Sequence, residues 1–250
     1  MQSFEEKIEV LYAFLKANRQ FNKDVQTLTY KRILLPFENK EDRIISLLHH
    51  IVNTQSQPKI DRLAKFFQLI EGNRSSLDSL KNFLHLFGNN QGAKDYISLF
   101  YVLKEQEGWG NKTAALFCKS IYHFHCGTYD IRFKIWDDVP PKLEENDKLY
   151  LPVDVVISDI FSKLNFVKSD FININDFLFQ YYKGNQMEVW DDLWFWGFIS
   201  QKTIKNESER KLGWNQAKYW ALLETNKSPK VIKEVESKVG DFIKIIENIQ

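Results

Sequence analysis

Apolar residues recur every three to four positions through most of this chain, and this spacing is the feature that most constrains its fold. Two series near the N-terminus have the spacing: Phe4, Ile8, Leu11, Tyr12 and Leu15, then Ile44, Leu47, Leu48, Ile51 and Val52. A period of 3.6 residues places each series on one face of a helix. Alternating patterns typical of strands are scarce, so the sequence predicts an all-α protein.

The same spacing, together with capping residues, predicts further helices along the rest of the chain. These helices are expected at 59–70, 94–106, 112–124, 154–165, 175–182, 187–200, 214–223 and 230–248. The segment TYKRILLPF (29–37) is predicted to be a short extended piece, limited by its proline. Residues 54–58 and 126–152 are predicted to be loops, the second because it contains DDVPPKLEEND.

Composition restricts the classes of function. The net charge of the 250-residue chain is only +1, so a nucleic-acid surface would have to come from local clustering of basic residues. Two cysteines cannot supply a four-cysteine cluster. The N-terminal segment is acidic where a signal peptide is basic, and no apolar run is long enough for a membrane span. We therefore expect no membrane association and a cytoplasmic, nucleoid-associated protein, or a nuclear one in a eukaryote.

The stretch EGWGNKTAA (107–115) contains two glycines close to a lysine and a threonine. A phosphate-binding P-loop needs a glycine directly before the lysine and a strand before the loop. Here Asn111 separates Gly110 from Lys112, and the preceding segment has helical spacing. The stretch therefore predicts two helices joined by a tight Gly-x-Gly turn. The N–H groups at the start of the second helix would suit a phosphate.

Three segments, in this order along the chain, resemble the helix-hairpin-helix DNA glycosylase superfamily, the endonuclease III-like enzymes. LLHHIVNTQSQPKIDRLAKFF (47–67) is similar to the helix, glutamine-containing loop and helix that open the family's helical barrel. GWGNKTAALF resembles its hairpin, with the lysine nucleophile at Lys112, and LPVDVVISDIF resembles the segment with the essential aspartate, at Asp154. Gln55 falls where the family places a residue that fills the gap left by a flipped base.

The resemblance implies two helical lobes with a DNA-binding groove between them. One lobe would be a helical barrel at 41–150 that carries the hairpin, and the other would combine 1–40 with 151–250. The catalytic residues would be Lys112 and Asp154. The DNA-binding residues would be Gly108, Trp109, Gly110, Thr113 and Gln55. The implied partner is double-stranded DNA containing a damaged base, bound by a monomer without a metal or other cofactor.

The chain departs from the family pattern in several ways. In the hairpin, Trp109 is bulkier than the aliphatic residue that is usual there. The helix WDDLWFWGFISQ (190–201) resembles the one that precedes the iron–sulfur loop, yet no cysteine follows it. In lacking these cysteines, the chain resembles the branches of the family that have no iron–sulfur cluster and excise 8-oxoguanine. Asp154 also lies 42 positions after Lys112, farther than in most members, so Asp137 and Asp138 remain rival carboxylates.

The residue types suit base excision. An amine can attack C1′ of the deoxyribose when partial burial beside a helix N-terminus keeps it neutral, and a carboxylate can accept its proton or stabilise positive charge on the sugar. The alternatives are a non-catalytic helix-hairpin-helix DNA-binding protein and a helical scaffold for other proteins. Taken alone, Lys112 is a solvated lysine and Asp154 a helix N-cap.

Other clusters have mainly structural interpretations. The aromatic residues of 190–198 are predicted to pack in the core, although such rings can also stack on a flipped base. Asp191 and Asp192 are predicted to cap or solvate their helix. A metal site is disfavoured by the spacing of the available ligands Cys118, His123, His125 and Cys126. A solvated face or phosphate contacts are the two interpretations of the basic residues Lys202, Lys205, Arg210, Lys211 and Lys218.

Overall fold

A computed structural model of the chain describes residues 3–89, 94–203 and 210–247. The helices up to residue 125 are α1 (Phe4–Ala17), α2 (Arg19–Leu34), α3 (Lys40–Val52), α4 (Ile60–Gly72), α5 (Leu80–Leu86), α6 (Tyr96–Lys104) and α7 (Asn111–His125). Those that follow are α8 (Val155–Lys163), α9 (Phe171–Tyr181), α10 (Gln186–Trp190), α11 (Asp192–Ser200), α12 (Gln216–Ala221) and α13 (Pro229–Glu247). Short 3₁₀ turns lie at Arg74–Leu77 and Ile131–Phe133.

Helix predominates throughout, which confirms the all-α class. The sheet found in the described part of the chain is one antiparallel pair, β1 (Gln201–Thr203) with β2 (Arg210–Leu212). This pair was not predicted, because three residues are too few for a period-two pattern to stand out. Within the described ranges, no helix combines the length and apolar character that a membrane crossing requires.

The prediction of an extended piece at 29–37 was wrong, because α2 continues to Leu34. Tyr30, Ile33 and Leu34 are buried, and their spacing of three and one is that of a helix face. The helix ends just before Pro36, as expected from the restriction that proline places on the preceding residue.

The chain divides into two compact units. Unit 1 consists of 1–26, 153–182 and 186–250, and unit 2 consists of 27–152 and 183–185. The lobe boundaries expected from the resemblance, at 40/41 and 150/151, stay predictions.

Unit 2 has an aromatic core around Phe83 on α5. The Phe83 ring lies 5.8 Å from Phe117 on α7 and 5.2 Å from Trp136, measured between ring centroids. All three side chains are almost completely buried. The Trp136 indole Nε1 donates a 2.8 Å hydrogen bond to the Leu77 carbonyl, so the polar atom of this large buried side chain has a partner.

The segment 126–152 lacks α-helix, as predicted, and is held in place by its carboxylates. Asp138 accepts hydrogen bonds from Leu80 N and Lys81 N at the start of α5, at 2.8 and 3.0 Å. Asp147 accepts from Tyr96 N and Ile97 N at the start of α6, both at 2.9 Å. Each aspartate thus satisfies two N–H groups of a first helical turn and places a negative charge at the positive end of the helix dipole.

Unit 1 packs α11 closely against α8. A Cβ atom on Gly197 of α11 would lie 2.8 Å from Val156 Cγ1, so only glycine permits this approach. Trp196 is fully buried and meets Phe14 and Phe21 edge to face, with ring centroids 5.2 and 5.6 Å apart. This contact fixes α11 through its aromatic residues.

Candidate functional site

The turn between α6 and α7 depends on Gly108. Its φ is +83°, in the left-handed region that side chains rarely adopt, and a Cβ there would lie 2.7 Å from Leu63 Cδ2. The turn is therefore pressed against α4. Gly110 is the N-cap of α7 with extended backbone, and it offers no side-chain acceptor to the first-turn N–H groups. These features fit the predicted Gly-x-Gly turn between two helices.

Trp109 anchors the turn. Its side chain is buried, with ring centroids 5.1 Å from Phe66 on α4 and 6.2 Å from Phe117 on α7. The indole Nε1 is buried without a hydrogen-bond partner, so this donor carries a desolvation cost. The bulk of Trp109, unusual for the resemblance, is therefore used to fasten the turn to the core of unit 2. A DNA contact at this position would have to come from the backbone.

Thr113 is buried as well, and its hydroxyl is engaged with Gly110. Thr113 Oγ1 accepts from Gly110 N and donates to Gly110 O, both at 3.0 Å. This reciprocal pair closes the first turn of α7 in the manner of a capping box. The local role of the threonine is therefore to hold the turn geometry.

Two separately predicted segments meet at this turn. Gln55 Nε2 donates a 3.2 Å hydrogen bond to the Gly108 carbonyl, and Lys112 Nζ donates to the Thr54 carbonyl at 3.5 Å. Lys112 lies in the first turn of α7 and is half-buried. The loop after α3 therefore contacts both the glycine turn and the predicted nucleophile. Of the sequence-predicted residues, Gln55, Gly108, Trp109, Gly110, Lys112 and Thr113 form one local cluster in unit 2.

Asp154 belongs to unit 1, where it is the N-cap of α8. Its Oδ1 accepts hydrogen bonds from Val156 N and Ile157 N, at 2.9 and 3.1 Å. Its Oδ2 accepts from the Trp194 indole Nε1 at 2.9 Å. Both oxygens are thus oriented by the protein, and the tryptophan fixes the plane of the carboxylate. This geometry fits the N-cap interpretation and also holds the carboxylate in a single orientation.

The rival carboxylates have partners of their own. Asp137 is exposed and forms a 2.6 Å ion pair with Lys40. Asp138 caps α5 and pairs with Lys94 at 3.2 Å. Burial alone would raise the pKa of Asp138, but the two backbone donors and Lys94 outweigh it and lower the pKa. Asp138 therefore has a structural role at the start of α5, whereas Asp137 makes only an exposed ion pair.

One pair of rings on α11 remains partly accessible. Trp190, Phe195 and Trp196 are buried, as predicted, but Trp194 and Phe198 of α11 are half-buried and stacked, with centroids 4.9 Å apart and planes at 13°. The Lys218 ammonium lies 4.9 Å from the centre of the Phe198 ring, within the range of a cation–π contact. Trp194 also donates to Asp154, so the stacked pair and the carboxylate adjoin within unit 1.

Asp191 and Asp192 were predicted to cap or solvate their helix. Asp191 occupies the N-cap position of α11 but makes no side-chain cap hydrogen bond, and both residues are buried rather than solvated. Asp192 accepts a 2.7 Å hydrogen bond from Asn22, and Arg19 lies 3.4 Å from Asp192 and 2.7 Å from Glu188. The partners lie on α2, far away in sequence. Neither residue on α2 has a sequence signal that marks it as a partner.

The residues weighed as metal ligands are engaged separately. The His123 imidazole Nδ1 lies 2.8 Å from the Tyr30 hydroxyl, the Cys118 thiol donates to the Tyr96 carbonyl at 3.7 Å, and the Cys126 thiol donates to the Pro140 carbonyl at 3.2 Å. No group of three or more metal-ligating side chains occurs in the ranges that the structure describes. Lys205, one of the five basic residues noted between positions 202 and 218, lies outside the residues that the structure describes.

No protein-family model, curated protein or solved structure matches this chain.

Proposed function

We propose that this protein is a DNA glycosylase with an associated lyase activity, which removes a damaged base from double-stranded DNA. The observation that supports this most is the contact of the 54–55 loop with both Gly108 and Lys112. The resemblance assigns these segments to one DNA-binding surface, although they are far apart in sequence. Two contacts join them, one at the Gly108 carbonyl and one at Lys112, the residue to which the chemistry is assigned.

In this proposal, Lys112 Nζ attacks C1′ of the flipped nucleotide, and the bond between C1′ and the base breaks. The base leaves with the bonding electron pair and takes up a proton. The amine loses one proton, the C1′–O4′ bond opens as O4′ takes up a proton, and a protonated Schiff base joins Nζ to C1′. Loss of a proton from C2′ then expels the 3′ phosphate by breaking the C3′–O bond, and water hydrolyses the Schiff base to release Lys112. Asp154 supplies the carboxylate that stabilises positive charge on the sugar.

The stacked pair Trp194 and Phe198 is proposed as the surface on which the extruded base stacks. A flat apolar surface compensates part of the unstacking free energy, which is a few kcal/mol and is smallest for a weakly paired lesion. Because the chain lacks the cluster cysteines, it resembles the 8-oxoguanine-excising branches of the family. Duplexes containing 8-oxoguanine are therefore the first substrates to test.

The proposal is tested by borohydride trapping on duplex DNA containing an abasic site. Wild type is expected to give a covalent complex, and Lys112→Gln to give none. Lys65→Gln is the matched control, because Lys65 is an exposed lysine that contacts Glu107 at the same turn. If wild type forms no complex, or if Lys112→Gln forms as much as the control, the proposal is wrong.

The role of Asp154 is tested with Asp154→Ser, because serine caps a helix about as well as aspartate. The free energy of unfolding should fall by about 1–3 kcal/mol, because the helix cap is kept but the Trp194 indole loses its acceptor. Glycosylase activity should fall by about 100-fold, as expected when a charged catalytic group is lost. An unchanged rate in a stably folded Asp154→Ser variant would show that Asp154 is only a cap. DNA binding without trapping by wild type would favour a non-catalytic DNA-binding protein.

A further inference from the structure

The loop after α3 continues directly from the last turn of that helix. Thr54 N donates a 3.0 Å hydrogen bond to the Ile51 carbonyl, and the Thr54 hydroxyl donates to the same oxygen at 2.7 Å. Gln55 N donates to the Val52 carbonyl at 3.2 Å. Ile51 and Val52 are themselves buried. The backbone of Thr54 and Gln55 is therefore fixed to a helix that is packed into unit 2.

The Gln55 side chain satisfies a carbonyl group in the turn between α6 and α7. Its Nε2 donates a 3.2 Å hydrogen bond to the Gly108 oxygen, and among the described residues no backbone N–H donates to that oxygen. Within the turn, the Trp109 N–H donates to the Gln106 carbonyl instead, at 3.1 Å. A partly buried carbonyl without a donor is unfavourable, so the glutamine amide stabilises this conformation of the turn.

The same loop contacts the turn at a second point. Gly108 and Lys112 are four positions apart in the chain, and Lys112 lies in the first turn of α7. The Gln55 amide binds the first of these residues, and the Thr54 carbonyl accepts from Lys112 Nζ at 3.5 Å. Because Thr54 and Gln55 are neighbours in the chain, the loop and the turn close a ring of contacts. A shift of the turn would therefore move the start of α7, and Lys112 with it, relative to the loop.

We propose that Gln55 is a positioning residue, which holds the turn through the Gly108 carbonyl and thereby places Lys112 Nζ for attack on the sugar. The attack itself rests on the proposed function, whereas the hold on the turn stands on the geometry. Rates of attack depend steeply on placement, and a displacement of about 1 Å can slow a reaction by about 100-fold. One hydrogen bond from the loop can therefore affect the chemistry without any contact between Gln55 and the sugar.

This role differs from the one that the resemblance implies for the same residue. A side chain that fills the gap left by a flipped base has to enter the duplex, and the Gln55 amide cannot do so while it is bound to Gly108. Gap filling affects only substrates in which a nucleotide leaves a base-paired stack. Positioning affects every substrate of Lys112, and it also alters the turn in the protein without DNA. The two roles therefore predict different results on single-stranded DNA.

The first test follows amide hydrogen exchange of the turn in the protein without DNA. Gln55→Met removes the donor and keeps a side chain of similar length, and Gln55→Glu keeps the shape of the amide but replaces its donor by an oxygen. Both variants should exchange the amides of 108–113 about tenfold faster than wild type. Gln57→Met is the matched control, because Gln57 is an exposed glutamine of the same loop, and it should leave exchange unchanged. Wild-type exchange in both Gln55 variants would overturn the proposal.

The second test measures lyase activity on a single-stranded oligonucleotide that carries an abasic site, where no base has to leave a stack. Gln55→Met should lower kcat by about tenfold and leave KM within about twofold of wild type, whereas Gln57→Met should match wild type in both. Faster exchange with an unchanged kcat would show that the hold on the turn does not reach Lys112, and this result would also overturn the proposal.

The remaining outcomes separate this proposal from the proposed function. If wild type has no lyase activity but Gln55→Met still exchanges faster, the hold on the turn stands and the glycosylase function fails. If wild type is trapped through Lys112 while Gln55→Met slows only the excision of a base from duplex DNA, with normal exchange and a normal rate on single strands, the function stands. Gln55 is then a gap-filling residue, and its positioning role is refuted.

Discussion

Replacement of Gly108 by alanine tests whether the turn before Lys112 is held by both its backbone conformation and its packing. Alanine at φ +83° costs about 1–2 kcal/mol relative to glycine. The new Cβ would also lie 2.7 Å from Leu63 Cδ2, 2.9 Å from Leu63 Cγ and 3.2 Å from Leu63 N. Leu63 is buried, and its backbone cannot rotate away, so overpacking adds about 1–3 kcal/mol. We expect a total loss of about 2–5 kcal/mol.

Two other glycines of unit 2 separate these contributions. Gly88 has φ +85° and nothing within 4 Å of an added Cβ, so Gly88→Ala should cost only the conformational part, about 1–2 kcal/mol. Gly110 has an ordinary extended φ and the same open surroundings, so Gly110→Ala should change stability by less than about 1 kcal/mol. Gly108→Ala thus combines an unfavourable φ with overpacking, Gly88→Ala has only the unfavourable φ, and Gly110→Ala has neither.

The measurement is urea unfolding followed by circular dichroism and tryptophan fluorescence. If Gly108→Ala loses no more than Gly88→Ala, close packing against Leu63 plays no part and the reasoning is refuted. A further variant, Gly108→Ala in a Leu63→Ala background, should lose less than the two single changes added together, because the contact that causes the overpacking is gone.

Two further predictions concern unit 2. Trp109→Phe should cost less than about 1.5 kcal/mol, because the buried Nε1 has no hydrogen bond to lose, whereas Trp109→Ala should cost about 3–5 kcal/mol; equal losses in urea unfolding would contradict this. Burial, reinforced by Lys134, lowers the pKa of His125 from 6.5 to about 4. The folded state therefore binds this proton less readily than the unfolded state, so stability is intact above pH 6.5 and falls by up to about 3 kcal/mol as the pH drops to 4. His125→Gln should remove that part of the decline, and a pH profile identical to that of wild type would contradict the assignment.

The helical fold could be predicted because burial imposes a period on the sequence. The prediction failed at 29–34, where β-branched and aromatic residues near Pro36 suggested an extended chain. The spacing of Tyr30, Ile33 and Leu34 was the better guide, since tertiary burial outweighs the intrinsic preference of the individual residues.

Contacts between distant segments could not be predicted in the same way. The prolines of 126–152 marked a loop correctly, but nothing in their pattern indicates that Asp138 and Asp147 cap two helices. Asp192 was predicted to cap or solvate its helix, because neighbouring residues on a helix point in different directions. Its burial depends on Arg19 and Asn22, and the latter lies 170 positions away. Charge patterns along the sequence report neighbours on the same helix only.

Asp154 has two predicted roles, and its hydrogen bonds bear on both. The sequence singles it out both as an N-cap and, by resemblance, as the essential carboxylate, and the structure gives its Oδ1 two backbone donors at the start of α8. A cap needs only that oxygen. The second oxygen accepts from Trp194, whose ring is stacked on Phe198 in a half-buried position, and helix capping does not require this bond. The bond satisfies the indole donor and holds the carboxylate in one orientation, which would serve a structural cap and a catalytic group alike. Asp154→Ser keeps the cap but removes the charge and the acceptor of the Trp194 indole, so an unchanged rate in this variant would show that neither is needed for activity.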